Sequence, residues 1–256
     1  MRLKNRLFQA NFGIQAQMDE YVIALAGNPN VGKSTIFNAL TGLRQHTGNW
    51  AGKTVTNAQG KFRYREKSFL LVDLPGTYSL LAQTADEKIA RDFICFGGPD
   101  AVATVLDAAC LERNLNLVLQ VMEITPNVIV CVNLIDEAVK KGIGIDFAAL
   151  EKELGVPVVA CCARRGEGIK DLREVLWQVS TGKKMPEPRK LKYSQAVEDL
   201  VREIEPSIKS IVRGKLNSRW VALRMLDSDQ AFIESINFHL KRGEAAELDG
   251  GQLDFS

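Results

Sequence analysis

The stretch GNPNVGKST, Gly27 to Thr35, sets two glycines, a lysine and two hydroxyls directly behind the apolar run Tyr21–Ala26. The spacing Gly27-x-x-x-x-Gly32-Lys33-Ser34 is that of a phosphate-binding loop when a strand precedes it and a helix follows. Such a loop aims its backbone N–H groups, and those of the next helix's first turn, at oxyanions. Lys33 is placed to bridge the outer phosphates and Ser34 to offer a hydroxyl to magnesium. The candidate cradle is Gly27, Asn28, Pro29, Asn30, Val31, Gly32, Lys33, Ser34 and Thr35.

Three later motifs fit the same chemistry. In VDLPG, Asp73 is placed to hold the magnesium through water and the Gly76 N–H to sense a terminal phosphate. In VNLID, Asp136 can accept from both the ring N–H and the amino group of guanine. Adenine presents an acceptor where guanine presents a donor, so an aspartate repels it. Asn133 is placed to tie this loop to the phosphate loop, and Leu134 takes the place of the usual lysine, which predicts a weaker hold on the base. ACCARRGEGI is similar to a last guanine-binding loop, with Cys162 in the usual serine place, the Ala163 N–H toward the guanine oxygen, and Arg164 beside it.

These loops need a scaffold. Strand-like and helix-like patterns alternate from Tyr21 to about Val179, with strands at Tyr21–Ala26, Gly60–Arg65, Phe69–Val72, Ala101–Leu106, Val128–Val132 and Val156–Ala160. Helical spacing is found at Ser34–Thr41, through Leu111–Met122 and from about Gly168 to Val179, while residues 43 to 57 carry neither period. The pattern predicts an α/β fold, a mostly parallel sheet with helices on both faces, and every motif falls in a loop beyond a strand's carboxyl end. Residues 1–20 read as a flexible arm or as sequence foreign to the natural chain, 21–180 as the nucleotide domain and 181–190 as a linker. Residues 191–245 read as a small all-helical domain in which Pro206 kinks or restarts a helix and Asp229 caps another, and 246–256 as a frayed tail.

Composition bounds the rest. With 256 residues, 46% apolar and 25% charged, the chain is long enough for one large domain and a small one. The net charge of +2 gives no electrostatic case for nucleic acid. Five cysteines, Cys95, Cys110, Cys131, Cys161 and Cys162, form no C-x-x-C pair and read as buried thiols. His46 and His239 are the only histidines and make no metal site.

Four nucleotide motifs in this order resemble the translation-factor class of GTPases. GNPNVGKST, HTGNWAGKTVT at 46–56, DLPGTYSL at 73–80 and LRMLDSD in the helical region carry a finer resemblance to FeoB, the bacterial ferrous-iron transporter family. The resemblance implies a cytosolic GTPase domain, GTP and GDP as ligands, magnesium, and a following membrane-spanning part at the bacterial inner membrane. A small FeoA-like cytosolic protein is a further candidate partner.

The resemblance also implies how hydrolysis runs. Thr77 stands where many GTPases carry a water-orienting glutamine. Potassium in the place of an arginine finger would be held by Asn30 and by backbone carbonyls at Gly48 and Trp50, and Thr54 would bind magnesium and the terminal phosphate. Asn30 has a plainer reading as a left-handed turn residue. Trp50, in a glycine-flanked loop, reads as a mobile reporter of nucleotide state. Two other readings compete: a nucleotide-sensing switch with little turnover, and a ribosome-assembly GTPase.

Overall fold

The structure is a computed structural model and describes residues 9–42, 45–50, 56–81, 84–227 and 232–239. Its elements run β1 (Glu20–Gly27), α1 (Lys33–Thr41), β2 (Gln45–Asn49), β3 (Thr56–Tyr64), β4 (Lys67–Asp73) and α2 (Ala85–Phe96). Then come β5 (Ala101–Asp107), α3 (Leu111–Ile124), β6 (Val128–Asn133), α4 (Ile135–Lys140), α5 (Phe147–Leu154), β7 (Val158–Ala160) and α6 (Ile169–Ser180). Beyond the linker lie α7 (Gln195–Val212), α8 (Ser218–Leu226) and a helical stretch at 232–239.

The strands form one seven-stranded sheet in the order β2-β3-β4-β1-β5-β6-β7. β4, β1, β5, β6 and β7 are parallel, and β3 and β2 add an antiparallel edge. β1 lies at the centre and alternates strictly: Val22, Ala24 and Ala26 join one buried layer, Tyr21, Ile23 and Leu25 the other. That period of two on a strand covered on both sides is what a doubly packed parallel sheet requires. Ile36, Phe37 and Leu40 of α1 and Leu172 and Leu176 of α6 fill one face. α2 and α3 fill the other, and Val201, Ile208, Val212, Trp220 and Phe232 of the helical region continue that same core.

The expected fold class is the one observed, and several local expectations are corrected. Residues 9–17, within the region read as a loose arm, are packed: Phe12 and Ile14 are buried in the core. Residues 45–49, which carry neither period, form edge strand β2, because an edge strand held by ladder hydrogen bonds does not need an alternating buried face. Strand β3 starts earlier than read, at Thr56. Helix α2 is not legible as an apolar stripe because Arg91 and Asp92, both buried, interrupt it, although Thr84 and Glu87 form a capping box at its start.

Pro206 neither ends nor restarts α7, which runs unbroken through it. The ring sits on the exposed side, where water can take up the carbonyl that the missing N–H leaves free. Cys110 is exposed, and the other four cysteines are buried as expected. Asp229, Thr54 and the tail 246–256 lie outside the described residues.

The two domains meet along α2 and α3. Tyr193 Oη donates to Glu123 Oε1 at 2.7 Å, and Arg219 clamps Glu198 with two guanidinium bonds of 2.9 and 2.8 Å. Those guanidinium bonds hold the Glu198 carboxyl down to about 2. A cavity of about 680 Å³ lies at this joint, lined by Met122, Tyr193, Arg219 and Trp220. Its polar groups are largely spoken for by the joint itself, and it is remote in sequence from every nucleotide motif.

Candidate nucleotide site

Three strand ends, those of β1, β4 and β6, and the loop after β7 carry the four motifs. Gly27 ends β1 so close to β5 that a Cβ there would meet the Val105 carbonyl oxygen at 2.7 Å. Gly32 begins α1 with φ +79, and a Cβ on it would meet Asn133 Nδ2 at 2.4 Å. Only glycine satisfies both the left-handed backbone and the close approach. The first N–H groups of an α-helix have no carbonyl behind them, so the start of α1 presents donors beside Ser34 and Thr35, which are exposed.

Asn133 joins two of the motifs directly. Its Nδ2 donates to the Val31 carbonyl at 3.0 Å, and its Oδ1 accepts from the Ala163 N–H at 3.1 Å. The tie expected between this loop and the phosphate loop is therefore present. The Ala163 amide, expected to face a guanine oxygen, is engaged by Asn133, and a base must share or take that bond. The loop of Ala163 is pinned by reciprocal bonds between the Cys162 and Glu167 backbones, 3.1 and 3.2 Å, with Gly166 left-handed.

Leu134 adopts φ +61, a strained conformation for a leucine, costing of order 1 kcal/mol or more. Its side chain lies alongside Gly32, next to the loop. Two residues on, Asp136 is largely covered, and its carboxylate faces Arg164 at 3.5 Å and Arg165 at 3.9 Å. A hydrogen bond from the Cys162 thiol, helped by the two guanidinium charges, holds its carboxyl below the usual range. The cysteine in the serine position thus favours the ionised form of the acceptor.

The phosphate end is arranged differently. The Lys33 ammonium pairs with Asp73 and donates to the Leu74 carbonyl at 2.6 Å. Burial pushes the Asp73 carboxyl up, against the pull of Lys33. The Thr77 N–H donates to the Gly27 carbonyl at 3.2 Å, and a Cβ on Gly76 would lie 3.4 Å from Pro29, so the DLPGT turn rests on the phosphate loop. Asn28 is buried, and its Oδ1 has no partner among the described residues, at a cost of about 1–3 kcal/mol. Asn30 is exposed with φ +67, the left-handed geometry of its plainer reading.

Gly48 and Trp50 do not lie in an open loop. Gly48 sits in β2 opposite Asn57, and Trp50 is buried, edge-on to Phe93 at 5.4 Å. The expected open-loop placement of Trp50 is corrected accordingly, while its reading as a reporter of nucleotide state stands as a proposal. Its indole Nε1–H has no acceptor among the described residues.

Two supporting residues carry no motif. Gln120 of α3 accepts from the Leu80 N–H at 2.6 Å and from Ser79 Oγ at 3.2 Å, and so holds the end of DLPGTYSL. Arg113 lies 4.5 Å over the Tyr78 ring. Both sit on a helix whose apolar stripe was legible, and nothing in that stripe marks its polar side.

The family model for ferrous iron transport protein B matches residues 21–176. This chain belongs to that family. A second model, for the FeoB cytosolic helical domain, matches residues 193–250. The Fe(2+) transporter FeoB of Shigella flexneri is 40% identical over 216 residues, which are 83% of this chain and 27% of that protein. A Fe(2+) transport protein A/FeoB fusion protein of Porphyromonas gingivalis is 36% identical over 212 residues, 81% of this chain and 25% of that one. The chain thus spans about a quarter of the length of the curated relatives it matches. Among solved structures, the cytosolic domain of the T. maritima FeoB iron transporter in a GDP form superposes with a TM-score of 0.76 at 39% identity, covering 87% of this chain and 85% of that one. Among the described residues no helix is long and apolar enough to cross a membrane.

Proposed function

We propose that this chain binds and hydrolyses GTP as the cytosolic part of a bacterial ferrous-iron transporter, coupling nucleotide state to Fe(II) uptake. The observation that carries the reading is the Asn133 side chain, which bridges Val31 of the phosphate loop and Ala163 of the base loop beside an ionised, sheltered Asp136. That arrangement suits a purine with a donor pair on one edge and a phosphate chain at the other end. The nucleotide named for the T. maritima relative supports it.

In this reading Asp136 accepts from the guanine ring N–H and amino group, and Leu134 and Arg164 flank the base. The α1 amides and Lys33 take the phosphates, for which Lys33 must leave Asp73. In this reading the Lys33–Asp73 pair is a resting contact that the phosphates replace. Ser34 and Asp73, with Thr54, would hold magnesium, which neutralises phosphate charge when bound.

No side chain at Thr77 can orient water as a glutamine does, so intrinsic turnover is slow. A potassium ion, held by Asn30 and by the Gly48 and Trp50 carbonyls, would supply fixed positive charge near the β–γ bridge. The reading includes a first switch, around Gly48 and Trp50, that rearranges with GTP. The membrane-spanning part of a longer transporter is the proposed receiver of the signal. The Porphyromonas fusion supports a FeoA-like protein as a further partner.

Phosphate release from GTP with magnesium, compared in potassium and in sodium, tests this. Release is expected to be faster in potassium, and Asn30→Ala is expected to erase the difference. Equal rates in both salts remove the potassium role, and no release above background in either removes the enzymatic reading.

A further inference from the structure

Residues 9–20 precede the first residue that the family model matches, and they carry none of the nucleotide motifs. They are nonetheless built into the molecule. The Phe12 and Ile14 N–H groups both donate to the Gln9 carbonyl at 3.0 Å, closing a compact turn. Gln9 Nε2 donates to the Gly98 carbonyl at 3.2 Å, just beyond the end of α2, and Gln59 Nε2 of β3 donates to the Gly13 carbonyl at 3.1 Å. Gln9 and Ile14 are each 1% exposed.

This turn delivers one ring, Phe12, to the place where three parts of the molecule meet. Phe12 stands edge-on to Trp50 at 6.4 Å and to Phe93 at 5.4 Å, and stacks on His239 at 5.3 Å. Trp50 belongs to the first-switch segment. Phe93 lies on α2, which follows the DLPGTYSL segment. His239 lies on the 232–239 helical stretch of the second domain. No hydrogen bond from the Trp50 indole helps to hold it, since Nε1–H lacks an acceptor among the described residues. Aromatic packing against Phe93 and Phe12 therefore helps to keep Trp50 down.

We infer that residues 9–17 are a built-in strap and that Phe12 is a positioning residue, holding the first-switch segment in its Trp50-buried arrangement and so opposing the GTP-bound one. The inference rests on the proposed guanine-nucleotide site. In that reading GTP requires Gly48 and Trp50 to leave their places, whereas GDP, lacking the terminal phosphate, makes no such demand. A strap that favours the buried state lowers the apparent affinity for GTP by the fraction of molecules able to accept it. It leaves GDP affinity alone.

The test uses the full chain. With fluorotryptophan incorporated, fluorine NMR gives a Trp50 resonance, identified by its loss in Trp50→Phe. Phe12→Ala is expected to shift that resonance while Trp177, on the opposite face of the sheet, keeps its own. By calorimetry, Phe12→Ala is expected to tighten a non-hydrolysable GTP analogue relative to GDP by roughly tenfold, and Phe12→Tyr to restore the native ratio. A merely destabilising substitution weakens both nucleotides together. An unmoved Trp50 resonance, or an unchanged GTP-to-GDP ratio, overturns the strap and leaves the guanine site standing. Wild-type protein that binds neither guanine nucleotide overturns the proposed site and, with it, the strap's role.

Discussion

At the proposed base end of the site, Asn133 already joins Ala163 to the phosphate loop, and Asp136 is paired with Arg164 and Arg165 beside them. At the phosphate end, Lys33 sits on Asp73, Asn28 is buried with an oxygen that has no partner among the described residues, Gly48 is paired in an edge strand and Trp50 is in the core. One end is finished by folding and the other is held in a resting arrangement. The contrast suits a switch protein. In the proposed reading the base end fixes which nucleotide enters, so it gains from rigidity. In that reading the phosphate end distinguishes a triphosphate from a diphosphate, so it needs two arrangements of similar free energy.

The largest expected effect breaks the finished end. Asp136→Ala removes an acceptor of two charge-assisted hydrogen bonds, each worth about 1.5–3 kcal/mol. GDP affinity measured by calorimetry should fall by about a hundredfold or more, with little change in thermal stability, because Arg164 and Arg165 are exposed. A fall of less than about fivefold would mean that the base end does not read guanine through this carboxylate.

A smaller effect probes the resting end. Lys33→Ala strips the partner from a buried carboxylate and should destabilise the apo protein by about 1–3 kcal/mol. Adding Asp73→Asn should restore most of that loss, as thermal denaturation of the single and double variants would show. Additive losses would mean that the pair is incidental.

The smallest effect concerns pH. The Asp136 carboxyl is held below its usual range, so the ionised form persists as pH falls and is lost only below the ordinary carboxylate value of about 4. The ratio of GDP to ADP affinity, in which phosphate titration cancels, should stay flat from pH 8 to about pH 5. A ratio that collapses near pH 6 would place Asp136 in a different environment.

How much of this was legible in the sequence follows the same divide. The central sheet was readable because β1, β5 and β6 are continuous apolar runs bounded by turn residues. The Asn133 tie was readable because the glycine spacing and the N-L-I-D loop each demand a partner of the other's kind. The burial of Trp50 was not legible because it packs against Phe93 and Phe12, residues outside every motif and distant in sequence. Strand β2 was missed because its ladder is a backbone property, and α2 because a buried Arg91–Asp92 pair, tied to Ser235 of the second domain at 3.2 Å, stands in its apolar stripe. Contacts between distant segments leave no local period to read.

The central claim is that the folded chain is already shaped for guanine before any switch moves. Calorimetric titration of the wild-type protein with GDP and with ADP, in the same magnesium buffer, tests it most directly. The account predicts that GDP binds at least about a hundredfold more tightly, the order expected when two donors meet or miss a buried acceptor. Equal affinities for the two nucleotides would contradict it.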